Sequence, residues 1–221
     1  MGTTVSADIG YQSSSWKIRR ASALLITCTT LSLVACSGAV QAEETVLSKA
    51  PETTDVVIAD LSVADEAAEW TTMNDPVMGG RSTSEVAFDD GGLRFSGNIS
   101  LDNNGGFAST RGPLVPDIGG KAAGARSFGV HAEGDGKTYL LKVRDNDQPW
   151  SYVQRFTTEA GAVRNYELPV DQFEPVGMRL DLAPDAPQTL DPSTIDQVAV
   201  YILDKQQGPF QITINRISAT I

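Results

Sequence analysis

An antiparallel β-sandwich of the jelly-roll type is the all-β fold class that the sequence predicts, and three observations predict it. From Trp70 onward apolar and polar residues alternate with a period of two. Turn signals rich in Gly, Asn and Asp recur at short, regular intervals. After the N-terminal leader no segment sustains a helical period. Short strands punctuated in this way build sandwiches and jelly rolls.

The chain begins with a leader, which is set aside from the fold. Lys17, Arg19 and Arg20 form a positive region, and residues 21–35 carry no charge. The uncharged stretch is shorter than the roughly 20 apolar residues a bilayer-spanning helix needs, so a signal peptide is expected over residues 1–35. The Arg19-Arg20 pair is a weak signal for the twin-arginine route, because Ser22 and Ala23 follow it where larger apolar residues belong. Leu33-Val34-Ala35-Cys36-Ser37 resembles the bacterial lipoprotein box, in which the cysteine is lipidated and becomes the first residue. Lipidation of Cys36 is the favoured expectation, because Cys36 closes the apolar run. The competing site is cleavage after Val40-Gln41-Ala42. Acyl chains at Cys36 would anchor the protein on the periplasmic face of a bacterial membrane, each buried methylene contributing about 0.8 kcal/mol. Cleavage after Ala42 would instead leave a soluble periplasmic or secreted protein.

Residues 36–67 are rich in Ala, Glu, Thr and Ser and are expected to form a tether, with an early strand at Val56-Val57-Ile58. Residues 68–221 are expected to form the sandwich. Val86 and Phe88 alternate with polar neighbours. Asp89-Asp90-Gly91-Gly92 is a turn, and Leu93, Phe95, Gly97, Ile99 and Leu101 alternate after it, so the pair reads as a hairpin. Asn103-Asn104-Gly105-Gly106 turns the chain into a strand over 107–111, and 119–124 reads as a loop. Strands over 127–132 and 138–144 flank Gly134-Asp135-Gly136 as a second hairpin. Segments 151–158, 163–168, 197–203 and 210–217 bring the count to about nine or ten strands. Residues 190–195 are a turn into a strand, and Phe173, between Pro169 and Pro175, is expected to plug one end of the core.

Composition narrows the function. The chain has 221 residues and a net charge of −11, and loss of the leader makes it more acidic still. The acids are dispersed, which serves solubility. An acidic domain is a poor partner for nucleic acid, which demands a basic face, and for anionic lipid surfaces; membrane contact is expected only through the lipid anchor. The two cysteines, Cys28 and Cys36, belong to the leader and its junction. The mature domain therefore has no disulfide, thiol nucleophile or thiolate metal site, and it must rely on its hydrophobic core.

Candidate chemistry is sparse. His131 is the only histidine and sits in a strand between Val130 and Ala132, where packing explains it. Histidine–cysteine zinc sites are thereby excluded, and no serine stands in a nucleophile-elbow pattern. Carboxylates are too numerous for any pair to be specific. Asp145-Asn146-Asp147 begins like a calcium loop, but Trp150 and Phe156 occupy the positions where an EF-hand needs glycine and glutamate. The glycine pairs do not follow phosphate-loop or dinucleotide spacing. No cofactor or metal is expected. The densest cluster is Asn74-Asp75-Pro76-Val77-Met78-Gly79-Gly80-Arg81-Ser82. Asn74 and Asp75 can bond loop amides, the residue before Pro76 is held extended, and Gly79-Gly80 permits a sharp turn. The loop reads either as a plug closing the sandwich, with Trp70 and Met78 beneath it, or as a partner-facing loop.

The order of motifs resembles the complex I intermediate-associated protein 30 family. The matching elements are Trp70, the Asn74-to-Ser82 loop, Leu93-Arg94-Phe95-Ser96-Gly97, and Asn103-Asn104-Gly105-Gly106-Phe107-Ala108-Ser109-Thr110-Arg111. Gly134-Asp135-Gly136-Lys137-Thr138-Tyr139, Leu168-Pro169-Val170-Asp171-Gln172-Phe173 and Asp204-Lys205-Gln206-Gln207-Gly208-Pro209-Phe210 follow in the same order. The resemblance implies a galactose-binding-domain-like jelly roll, no catalytic motif, and a role as an assembly chaperone. The export signal departs from that setting, so the fold transfers better than the role. The leading expectation is a non-enzymatic binding or assembly module whose partner is a protein or a polar polymer. Its candidate binding residues are Asn74, Asp75, Arg81, Arg111 and Asp135: the arginines for carboxylates or carbonyls, the others as hydrogen-bond acceptors. The alternative is a carbohydrate-binding module of the cell envelope, with Trp150 and Tyr152 stacking on sugar faces. A carboxylate-dependent hydrolase ranks third.

Overall fold

The computed structural model describes residues 53–75 and 79–221. The predicted leader, Cys36, the tether as far as residue 52 and the loop residues Pro76, Val77 and Met78 lie outside the described residues. Two antiparallel sheets face each other across one core, as the sequence predicts. The first contains β3 (Thr83–Asp89), β4 (Gly92–Ile99), β12 (Gly208–Thr220), β6 (Ser127–Glu133) and β9 (Val163–Pro169), in that order. A further strand, β1 (Asp55–Asp60), pairs with the second half of β12. The second sheet runs β10 (Glu174–Val176), β8 (Ser151–Thr157), β7 (Thr138–Asp145), β11 (Ile195–Ile202), β5 (Ala108–Arg111) and β2 (Thr71–Asn74).

Alternation decides which side chains meet in the middle, because successive strand residues point to opposite faces. In β4, Leu93, Phe95 and Ile99 are buried while Arg94, Ser96 and Asn98 are not. In β7, Tyr139, Leu141 and Val143 face the core, and Lys142 and Arg144 take the opposite side. Edge-to-face aromatic pairs add to the packing: Phe95 on β4 lies against Phe210 on the neighbouring β12 (4.9 Å between centroids), and Phe128 on β6 lies against Phe173 (5.7 Å). Phe173 is buried at 3 % exposure, so it plugs the core as expected.

Three expectations are corrected. The tether does not extend to residue 67: β1 is hydrogen-bonded along β12, and Ile58, Leu61 and Ala67 are buried. The sandwich thus begins by residue 55, and a five-residue helix, α1 (Ala64–Ala68), follows β1. The segment 119–124 is not simply a loop, since α2 (Ile118–Ala122) tucks Ile118, Gly119 and Ala122 inside. The segments flanking Gly134-Asp135-Gly136 are not a hairpin: β6 pairs with β9 and β12, β7 with β8 and β11, and the turn carries the chain from one sheet to the other. The reason is the Asp135 carboxylate. It accepts from Lys137 N (3.0 Å) and Tyr139 OH (3.1 Å) at one oxygen and from Gln211 N (2.9 Å) at the other, which fastens the turn to β12.

Candidate functional site

The predicted cluster around Asp75 folds into a knot. Asp75 is 1 % exposed, and its carboxylate accepts from Ser82 N (2.7 Å), Ser82 Oγ (2.5 Å), Gly106 N (2.6 Å) and Phe107 N (3.3 Å). Ser82 Oγ in turn accepts from Ser100 N at 3.0 Å. Burial works to raise the Asp75 pKa, but the hydrogen bonds from Ser82, Gly106 and Phe107 outweigh it and hold the carboxyl below its ordinary range. Two glycines make the close approach possible. A Cβ on Gly80 would lie 2.4 Å from Asp75 Cγ, and one on Gly105 would lie 2.6 Å from Asp75 Oδ2. Two motifs separated in sequence, Asn74-to-Ser82 and Asn103-to-Arg111, are therefore halves of one structural device.

The other predicted residues disperse. The Asn74 amide lies 2.6 Å from the Ser84 hydroxyl. Arg81 is exposed on the loop, and Asp135 is engaged in the inter-sheet turn. Arg111 lies elsewhere, on the outer face of the second sheet. Of the two aromatics considered for sugar stacking, Tyr152 is in the core, its hydroxyl donating to Pro187 O at 3.0 Å. Trp150 is half-buried and reaches that outer face, with Nε1 donating to Asp145 Oδ2 at 3.0 Å.

On this face a groove of about 440 Å³ crosses the central strands, within the usual range for ligand sites. Strand register sets its floor. Arg111 on β5 stands opposite Ala199 on β11, which stands opposite Lys142 on β7. One step along, Gln197 stands opposite Arg144, and Arg144 opposite Ser151 on β8. Trp150, Met178 and Leu114 form the rim, and Met178 and Leu114 are exposed at 89 % and 58 %. Beside the cations, on the same outer face, lies a small apolar cluster of Leu140, Val153, Val176, Ala199 and Tyr201. The Lys142 ammonium sits 5.7 Å from the Tyr201 ring centroid, in cation–π range.

The groove's charge is lopsided. Arg144 is neutralised by Asp196, 2.8 Å from its Nη1. Burial pushes the Asp196 carboxyl above its ordinary range, against the pull of Arg144. Among the described residues, neither Arg111 nor Lys142 pairs with a carboxylate. Arg111 donates from Nη2 to Met73 Sδ at 2.9 Å, and its buried Nε has no partner. Burial, with the neighbouring Arg111 and Arg144 charges, lowers the Lys142 pKa.

The family model for complex I intermediate-associated protein 30 (CIA30) matches residues 59–214. The chain belongs to this family. The matched segment runs from within β1 to within β12, so it takes in every strand between them, with the Asp75 knot and the groove of this CIA30 domain. No curated protein matches the sequence. Among solved structures the CIA30 domain is similar to the family 11 carbohydrate-binding module of the cellulosomal cellulase Lic26A-Cel5E of Clostridium thermocellum, at 15 % identity and a TM-score of 0.55, over 75 % of this chain and 94 % of that one. A second structure, the family 11 module from Clostridium thermocellum in complex with a β-1,3-1,4-mixed-linked tetrasaccharide, gives 15 % identity and a TM-score of 0.53, over the same shares of the two chains. At this identity the likeness is one of fold.

Sequence reasoning missed Lys142, Arg144, Ser151, Gln197 and Tyr201 as candidate site residues. A usable signal was present: Lys142 and Arg144 alternate with the apolar Leu141 and Val143, so both cations must share the outer face of the strand.

Proposed function

We propose that this family member is a non-catalytic binding module that holds an extended polar polymer in the groove across the second sheet, exported and anchored in the bacterial envelope through Cys36. The observation that carries the reading is the groove itself. It offers an open floor of polar and cationic side chains on rigid central strands, with Trp150 at the rim as a flat apolar surface. Side chains on such strands are pre-organised, which lowers the ordering cost of binding. The shared fold with a module solved holding a tetrasaccharide supports the same reading. Binding of soluble polysaccharides, followed by calorimetry and by product analysis, tests it. Binding without bond cleavage, weakened in Trp150→Ala, is expected. Release of shortened products from a bound polymer would refute the non-catalytic assignment. Mass spectrometry of the mature N-terminus tests the anchor, with acylated Cys36 as the expected first residue.

Family membership favours a second reading, a protein partner in complex assembly. A pull-down comparing the wild type with Arg81→Ala/Arg111→Ala tests it. An unchanged set of partners would count against a role for those arginines.

A further inference from the structure

The groove's charge specifies its ligand more narrowly than its shape does. The protein is strongly acidic overall, at −11, yet it gathers Arg111, Lys142 and Arg144 on one face and leaves Arg111 and Lys142 without carboxylate partners among the described residues. Placing unpaired cations side by side in a half-buried groove is unfavourable for the free protein. An anion seated between them would relieve that repulsion and gain charge-assisted hydrogen bonds. Screening at physiological salt confines the repulsion from dispersed surface acids to about 8 Å, so the local field of the groove governs a ligand seated there.

We infer that the groove binds an oligosaccharide carrying anionic groups, with Lys142 and Arg111 contacting the negative charge and Gln197, Ser151 and Trp150 contacting the sugar. This rests on the binding-module reading above. A sugar chain is favoured over an acidic peptide because the floor is the face of β5, β11 and β7, whose backbone groups are already committed to the sheet ladders. No strand edge is available there for main-chain pairing, the mode by which extended peptides add to sheets. Hydroxyls, a pendant anion and an apolar ring face match what the side chains offer. Carboxylate and phosphate substituents share this chemistry, and the test separates them.

The full-length protein is titrated with an oligogalacturonate, a phosphorylated oligosaccharide, a neutral mixed-linked β-glucan oligosaccharide and poly-glutamate. Tighter binding of one or both anionic sugars than of the neutral glucan, by about tenfold or more, is expected, and the anion that binds identifies the substituent. That preference should vanish in Lys142→Met and in Arg111→Gln, and should fall with added salt. Arg164→Gln, which alters an arginine of the opposite sheet paired with Glu159, should bind as the wild type does. Equal binding of neutral and anionic sugars, or binding of poly-glutamate alone, would overturn the inference while leaving a binding module intact. Binding of none of the four would overturn both.

Discussion

Replacing Asp75 with asparagine keeps the side chain's shape while removing the charge and exchanging one acceptor oxygen for a donor NH₂, and its cost can be worked from the geometry. The carboxylate offers two oxygens: Oδ1 accepts from Ser82 N, and Oδ2 accepts from Ser82 Oγ, Gly106 N and Phe107 N. An amide keeps one acceptor. With its oxygen at the Oδ2 position, its NH₂ faces Ser82 N at about the same 2.7 Å, donor against donor. Leaving that buried N–H unsatisfied costs about 1–3 kcal/mol, and the remaining bonds lose their charge assistance. A total near 2–4 kcal/mol is expected, or a fall in Tm of about 5–15 °C for a domain of this size. The sign with pH follows from the lowered pKa. The stabilisation by Asp75 is fully present above the unfolded-state pKa of about 3.9 and is lost as pH falls through the folded value. The gap between wild type and variant should therefore be widest at neutral pH and close in acid. Thermal unfolding followed by circular dichroism across this range is the assay. An unchanged midpoint at neutral pH, or a gap that persists undiminished in acid, would refute the reasoning. Loss of ligand binding by a fully folded variant would instead make Asp75 a binding residue.

Gly105→Ala puts a Cβ 2.6 Å from Asp75 Oδ2 and 2.8 Å from Ser100 O, and should destabilise by about 1–3 kcal/mol in urea titration. Lys142→Met removes a crowded cation from the groove, and should raise stability by about 0.5–1 kcal/mol while abolishing selectivity for anionic ligands. Arg144→Met strands the Asp196 carboxylate, whose Oδ1 is already buried without a partner. A loss of about 1–3 kcal/mol at neutral pH is expected, after allowance for the partial exposure of Arg144. That loss should shrink as acid protonates Asp196, which unfolding at two pH values would show.

The strands that alternate cleanly were legible in the sequence because burial on one face alone dictates a period of two. Strand β4 shows this: Leu93, Phe95 and Ile99 are buried, and Arg94, Ser96 and Asn98 between them are not. The early strand at Val56-Val57-Ile58 was legible, but its place in the sandwich and the helix α1 after it were obscured because much of that stretch is exposed, with Ile58, Leu61 and Ala67 as its buried hydrophobic residues. Gly134-Asp135-Gly136 misled because a tight turn and a crossover look alike locally. The bond from Gln211 N that decides between them comes from 76 residues away. The same distance effect governs the site. Asp75 carries the chemistry of a ligand residue, yet Ser82, seven residues on, and Gly106 and Phe107, 31 and 32 residues on, occupy both of its oxygens. Arg111 and Lys142 become a pair only through β11, which lies between them in the sheet and follows both in the chain.

Strand β12 runs along β6 on one side, and along β4 and then β1 on the other. It is also the last element of the sandwich in chain order. The first sheet cannot assemble around its own axis until β12 has emerged, however long β1, β4 and β6 have been available. Such dependence on distant pairing gives a high contact order and slow folding. A nascent chain of this design stays open until its thirteen-residue keystone arrives, so the commitment to fold comes as a late, single event.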